Sequence, residues 1–390
     1  MLTPAQDGAR FSRRSLIAGA AALPLSYAVA RGLQGENVDS SPGLVMRERE
    51  PQNLESDFSA LAAITPNDRF YVRSHFAVPA LDAKSWKLSV EGAVANRVQL
   101  TYDELIRMPS ETRPVTLECA GNGRVLLVPK VDGAQWQLGA VGTAEWTGVR
   151  LDAVLERAGI DPKATELVLE GTDSGEPTKP SKPGKPIKFS RSIPLDRARG
   201  GDVLLAYKMN GQPLPQAHGF PIRAIVPGWY GMASVKWLAR IVAVTQPYCG
   251  YFQTVDYAYW QQRDGFPQRV PVTEIQVKSQ IARPATAEVV PKGKAYRVFG
   301  AAWAGDSAVS QVAVSTDGGI TYAAAKLLGI PAKHVWQLWE FSWDVPDKAG
   351  KYGLMARATD ANGNSQPLER DKDREAYMIN HVVPVEVRVQ

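Results

Sequence analysis

From Val272 to the C-terminus the chain is cut into short alternating apolar and polar runs, each closed by a turn signal. Tyr296 to Ala302, Val309 to Ser315 ahead of Asp317-Gly318-Gly319, Trp336 to Trp343, Tyr352 to Thr359 and Val382 to Val389 all follow this pattern. Alternation with a period of two turns one side of a run toward a core and the other toward water. Repeated at this spacing, it predicts two packed antiparallel sheets, an immunoglobulin-like sandwich over 271–390. The disulfide of such domains is not expected, because the two cysteines, Cys119 and Cys249, both lie upstream.

At 390 residues the chain is too long for that core alone, so a further domain and a leader are expected. Ser12-Arg13-Arg14-Ser15-Leu16-Ile17 precedes an alanine-rich apolar run ending at Ala28-Val29-Ala30. This reads as a twin-arginine export signal over 1–30, directing the chain to the periplasm. The run is short for a membrane span, so stable membrane insertion is not expected. Residues 31–65 are polar and predict a surface segment without a core of its own. The net charge of +5 is mild, and no basic run is interleaved with aromatics, so nucleic acid is not an expected partner.

The residues that could carry chemistry lie between these ends. Val115 to Cys119 alternates as a strand, Ala120 to Gly123 makes a tight turn, and Arg124 follows. A thiolate there is a soft metal ligand, and a nearby arginine suits an oxyanion; a buried, inert cysteine is the other reading. Arg73 and His75, two positions apart, share one face of an extended segment, as a site pair or an exposed polar pair. The loop from Gly133 to Trp146 is rich in glycines that let backbone amides approach a phosphate, and within it Trp136 is either a pocket wall or core. Thr101 to Glu104 is a capping box, and Leu151 to Ala158 a helix stopped by Gly159. Residues 165–195 read strand, loop, strand, with Asp173 in the turn region and a lysine and proline stretch at 178–188. In Leu204 to Trp237, after an Asn210-Gly211 hairpin turn, His218, Arg223 and Lys236 are polar or cationic groups in an apolar, strand-like region. Such charges need a partner, either an anionic phosphate or an ion-pair network.

Leu117 to Arg124 resembles the cysteine loop of the sulfite oxidase family of molybdenum enzymes. Matches continue in the family's order over roughly residues 60–390: Arg73-Ser74-His75, Trp136, Asp173, the block His218 to Lys236, and Asp256-Tyr257. The resemblance implies an α+β protein, with a mixed α/β molybdopterin-binding domain at 66–270 followed by an all-β immunoglobulin-like domain at 271–390 that forms a homodimer. It implies molybdenum held by a single pterin dithiolene, with Cys119 as the metal's protein ligand. His75, Asp173, His218, Arg223, Ser234 and Lys236 would bind the cofactor, and Arg73, Arg124, Trp136 and Tyr257 would form the catalytic pocket. The implied activity is that of an exported sulfite dehydrogenase converting sulfite to sulfate. No Cys-x-x-Cys-His motif occurs, so no haem is expected and a separate c-type cytochrome would take the electrons. Two departures remove positive charge: Gly123, where the family often has a second arginine, and Gln337 in Trp336-Gln337-Leu338-Trp339, where vertebrate members have an arginine. The alternatives are oxidation of a sulfane sulfur on the same scaffold, a sulfoxide reductase, which usually lacks the sandwich, and a metal-free secreted binding protein.

Overall fold

The computed structural model describes residues 43–177 and 181–390. The expected export signal, the start of the polar segment and residues 178–180 of the lysine and proline stretch lie outside the described residues. Strands make up most of the regular structure of the described residues, with a few short helices. None of those helices is long and apolar enough to cross a membrane.

Two five-stranded sheets build the part that carries the candidate residues. One runs Val98–Thr101, Lys87–Gly92, Leu238–Val244, Glu166–Gly175, Ile187–Pro194, antiparallel except where Leu238–Val244 lies parallel to Lys87–Gly92. The other runs Gln212–Pro213, Leu204–Met209, Val141–Arg150, Ser110–Glu118, with Arg223–Ile225 also paired to Leu204–Met209. The strand Ser110–Glu118 begins half exposed and becomes wholly buried from Val115 onward, so the residue that follows it, Cys119, is delivered into the interior. The close approach continues at Gly142, where a Cβ would stand 2.8 Å from the Phe70 ring. The helix Leu151–Ala158 buries Leu151, Val154, Leu155 and Ala158. It ends at Gly159, whose φ of +63° is the left-handed cap the sequence predicts. The Thr101 and Glu104 capping box is formed in full, opening the helix Tyr102–Ile106.

The C-terminal part is a two-sheet sandwich, as the alternation predicts. Lys278–Arg283, Ala295–Trp303, Gln337–Asp344 and Lys326–Leu328 form one sheet. Val289–Val290, Val385–Val389, Gly350–Asp360, Val309–Ser315 and Ala323–Ala324 form the other. Val298, Trp339 and Trp343 from the first meet Val312, Leu354 and Val387 from the second in one dry core. Both parts belong to one compact unit.

One expectation changes. Residues 43–65 are not a coreless surface segment: Leu44–Glu48 and Asn53–Ser56 pair as a hairpin, Leu44 and Leu54 pack on Val72, and Phe58 enters the main core. The polar composition misled because Asn53 and Glu55 are buried and hydrogen-bonded. Glu55 accepts from the amides of Gln137 and Gly139 at 3.1 and 2.7 Å, and so braces the loop beyond the cysteine.

Candidate functional site

A cavity lies among these elements and gathers residues from widely separated parts of the chain. Arg73, His75, Cys119, Asp173, His218, Arg223, Ser234, Lys236 and Tyr257 line it together with Tyr71 and Trp237. Of the residues singled out from the sequence, Arg124 and Trp136 are not in its lining.

Cys119 sits where its strand ends. Its amide donates to Ala140 O at 2.8 Å and its carbonyl accepts from Asn122 N at 2.9 Å, so the turn is closed on both sides. The thiol is free and buried. Burial pushes it up, while Arg124, Arg73 and the Gly121 amide favour the thiolate. Arg124 is buried behind the turn, donating to Ala134 O at 2.9 Å and Ala376 O at 3.3 Å. Gly121 and Gly133 make room for it, since a Cβ on either would stand 2.3 or 2.6 Å from the guanidinium. Gly123 has φ +93°, in the left-handed region that disfavours side chains. A side chain at position 123 would therefore be strained in this chain's turn. Trp136 is fully buried with Leu117, Cys119 and Trp146. The tryptophan backs the cysteine turn outside the cavity lining, and its buried Nε1 has no partner among the described residues.

The opposite side of the cavity is cationic. Arg223 donates to His218 O and Ser234 O, each at 3.0 Å, and lies over the Trp146 ring. Lys236 donates to Ala217 O at 2.8 Å and Ser74 Oγ at 3.1 Å. Among the described residues no carboxylate lies within ion-pairing distance of Arg223, Lys236 or Arg73. Burial, then the Arg223 charge, holds Lys236 well below its usual range. Burial lowers Arg223 to about 10. Burial with the same two cations depresses His218 to about 3, leaving a neutral imidazole. Asp173 is raised to about 6 by burial, against the pull of Lys236. Two buried atoms here, Asp173 Oδ1 and Arg223 Nε, have no partner. An ion-pair network would have matched these charges. Unmatched cations with orphaned polar atoms instead fit an anionic, hydrogen-bonding occupant such as a phosphate-bearing group.

Tyr257 closes the site. Its hydroxyl lies 2.7 Å from His75 Nε2, and the imidazole stacks on Phe189 with centroids 4.5 Å apart. Burial and the neighbouring cations Arg73, Lys236 and Arg191 keep His75 neutral. Burial raises the Tyr257 phenol, which stays protonated at neutral pH. The residue has φ +50°, uncommon for a non-glycine. It is held there by Asp256 Oδ1, which accepts from Tyr257 N at 2.9 Å, and by Val272 N, which donates to Tyr257 O at 2.8 Å. For Arg73, burial works against the charge, but Tyr257 and Cys119 raise it on balance.

Sequence reading missed two participants. Asn53 Oδ1 accepts from Ser74 N at 2.8 Å and from Arg73 Nη1 at 3.3 Å, so it aims the arginine. Tyr377, from the C-terminal part, lies against Tyr257 with ring centroids 5.1 Å apart. Neither carries a local signal beyond its polar type in an otherwise unassigned stretch. Gln337 does not reach the cavity: its amide donates to Leu328 O and Leu338 O at 2.6 and 2.9 Å within the sandwich. Cys249 is exposed, with its thiol toward Pro247 O at 3.5 Å.

Residues 75–252 match the oxidoreductase molybdopterin-binding domain model, and residues 269–389 match the Mo-co oxidoreductase dimerisation domain model. The chain is 36% identical over 353 residues to mitochondrial sulfite oxidase of Mus musculus, covering 84% of this chain and 62% of the mouse protein. It therefore spans less than two thirds of that relative's length. It is also 36% identical over 348 residues to sulfite oxidase of Gallus gallus, covering 84% of this chain and 73% of the chicken protein. Among solved structures, that of the sulfane dehydrogenase SoxCD from Paracoccus pantotrophus superposes with a TM-score of 0.75 at 26% identity, covering 89% of this chain and 85% of that one.

Proposed function

The chain belongs to the sulfite oxidase family of molybdenum oxidoreductases, and from that premise we propose that it oxidises sulfite to sulfate and passes the electrons to an external c-type cytochrome. What carries the reading is the pairing of a buried thiol with unmatched cations around one cavity. The donor set fits a pterin-held molybdenum: Cys119 as the soft ligand, Arg223, Lys236 and His218 toward a phosphate, and Asp173, Ser234 and His75 toward a polar ring system. Such a group, when bound, supplies oxygen-atom transfer and takes up the two electrons.

The chain's own residues do the rest. Arg73 in the cavity lining, with Arg124 behind the cysteine turn, attracts sulfite and lowers the cost of bringing a dianion into a low-dielectric pocket. The Tyr257 hydroxyl, protonated and anchored on neutral His75, is a hydrogen-bond donor for a substrate oxygen. The buried walls from Tyr71 to Trp237 exclude bulk water, which strengthens each of these interactions. Asn53 and Glu55 hold Arg73 and the loop at Gln137 to Gly139 in place from the N-terminal hairpin.

The twin-arginine pattern at Arg13-Arg14 supports a periplasmic location. The match of residues 269–389 to a dimerisation domain supports a homodimer. A second reading, oxidation of a sulfane sulfur, is favoured by the likeness to SoxCD over most of both chains. The deciding experiment is metal analysis of the full chain expressed in a cofactor-competent host, coupled to sulfite-dependent reduction of ferricyanide and of cytochrome c. Stoichiometric molybdenum with sulfite turnover is expected. Molybdenum without sulfite turnover moves the assignment to the sulfane reading, and no molybdenum overturns both.

A further inference from the structure

The segment that follows the last long strand of the sandwich crosses onto the cysteine turn. Met378 N donates to Ala120 O at 2.8 Å, and Ala376 O accepts from Arg124 Nε at 3.3 Å. Ile379 lies against Gly123, 3.2 Å from where a Cβ would stand. The segment is itself pinned, because Arg370 donates to the carbonyls of Glu375, Tyr377 and Met378 at 2.6, 3.0 and 3.3 Å. Arg269 pairs with the Glu375 carboxylate at 3.1 Å from the hairpin that leaves Tyr257.

Tyr377 stands at the centre of this crossing. Its hydroxyl donates to Asp256 Oδ1 and accepts from Tyr257 N at 3.3 Å. Its ring packs on Tyr257 and lies 5.6 Å from the Arg124 guanidinium carbon, in cation–π range. One side chain thus touches both the element that fixes the left-handed backbone of Tyr257 and the cation beside Cys119. We infer that Tyr377 is a positioning residue through which the C-terminal sandwich sets Tyr257 and Arg124 for an anionic substrate, an inference that rests on the reading of this site as a sulfite-oxidising centre.

The hydroxyl and the ring have separable parts. The hydroxyl orders Asp256 and, through it, the backbone that aims the Tyr257 phenol; the ring holds Arg124. Tyr377→Phe removes the first and keeps the second, and Tyr377→Leu removes both. The test uses the full-length holoenzyme, with molybdenum content measured for each variant, sulfite kinetics, and amide hydrogen exchange of the peptide containing Tyr257. For Tyr377→Phe, kcat is expected to fall about tenfold with KM within about twofold, the loss of one charge-assisted hydrogen bond. Exchange at Tyr257 should quicken. For Tyr377→Leu, KM should also rise, by about fivefold, as the cation–π contact is lost. Equally loaded variants that keep both constants within about twofold of wild type, or an unchanged exchange rate at Tyr257, overturn the inference. If the wild type does not oxidise sulfite, the functional reading fails instead, and the exchange rate alone still decides whether Tyr377 orders Tyr257.

Discussion

Two buried charged regions flank the Cys119 turn, and they are built on opposite terms. Behind the turn, Glu118 and Lys278 pair at 3.0 Å with both side chains almost wholly buried. Trp303 Nε1 and Asn122 Nδ2 donate to the remaining carboxylate lone pairs at 2.8 and 3.1 Å, and Lys278 also donates to Asn122 O. That region is electrically closed and ties the sandwich to the turn. In front, Arg223, Lys236 and Arg73 find carbonyls and a hydroxyl but no paired carboxylate. Burying a charge without a counter-charge is costly in the folded protein alone, so the open region is suited to an anion. Charge matching therefore distinguishes these two regions, although the residue types are the same.

The largest effect tests the point where the two regions meet. Cys119→Ser is expected to abolish sulfite oxidation while the melting temperature of the apo-protein moves by no more than a few degrees, about the scale of 1 kcal/mol. Activity retained in a fully loaded Cys119→Ser protein would remove the metal-ligand assignment. Next, breaking the closed pair should be expensive: Glu118→Gln alone, which strands Lys278, is expected to cost about 3–5 kcal/mol in denaturant unfolding. The double change Glu118→Gln with Lys278→Met should recover much of that loss. In the open region the sign differs. Lys236→Met should lower the fraction of chains carrying the cofactor, yet cost the apo-protein no more than about 1 kcal/mol, because no ion-paired carboxylate is stranded and only neutral acceptors lose a donor. A loss as large as that of Glu118→Gln would erase the distinction between the regions.

Much of this arrangement was legible in the sequence because it follows from local rules. Alternation after Val272 gives the sandwich, and Gly159 and the Thr101 capping box give helix ends that tertiary packing did not override. The cations of the His218 to Lys236 block were legible as a site because charge inside an apolar pattern demands an explanation. What could not be read was non-local. Asn53 and Tyr377 act on Arg73 and Tyr257 across separations of 20 and 120 residues, and nothing in their own neighbourhoods marks them. Residues 43–65 failed for the same reason: a polar composition predicts a coil, but Glu55 is satisfied by amides more than 80 positions away.

The smallest effect separates the regions by pH, because each holds a neutral histidine next to cations. His381, beside Arg370 and Lys278 in the closed region, is lowered to about 4, chiefly by burial. His218, beside Arg223 and Lys236 in the open region, is lowered to about 3, again chiefly by burial. In both cases the folded value lies below the unfolded 6.5, so the unfolded chain binds the proton more readily. The stability each contributes is complete above pH 6.5 and is lost as the pH falls toward 4 or 3, at up to about 1.4 kcal/mol per pH unit. An anion held by Arg223 and Lys236 offsets the charges that depress His218, whereas it leaves His381 as it was. Unfolding measured between pH 6.5 and 4 should therefore show a shallower slope for His381→Asn in apo- and cofactor-loaded protein alike. For His218→Asn the slope should flatten in the apo-protein alone. Equal flattening by His218→Asn in both forms would mean that the bound group does not neutralise the open region, and the assignment of Arg223 and Lys236 to a phosphate would fall with it.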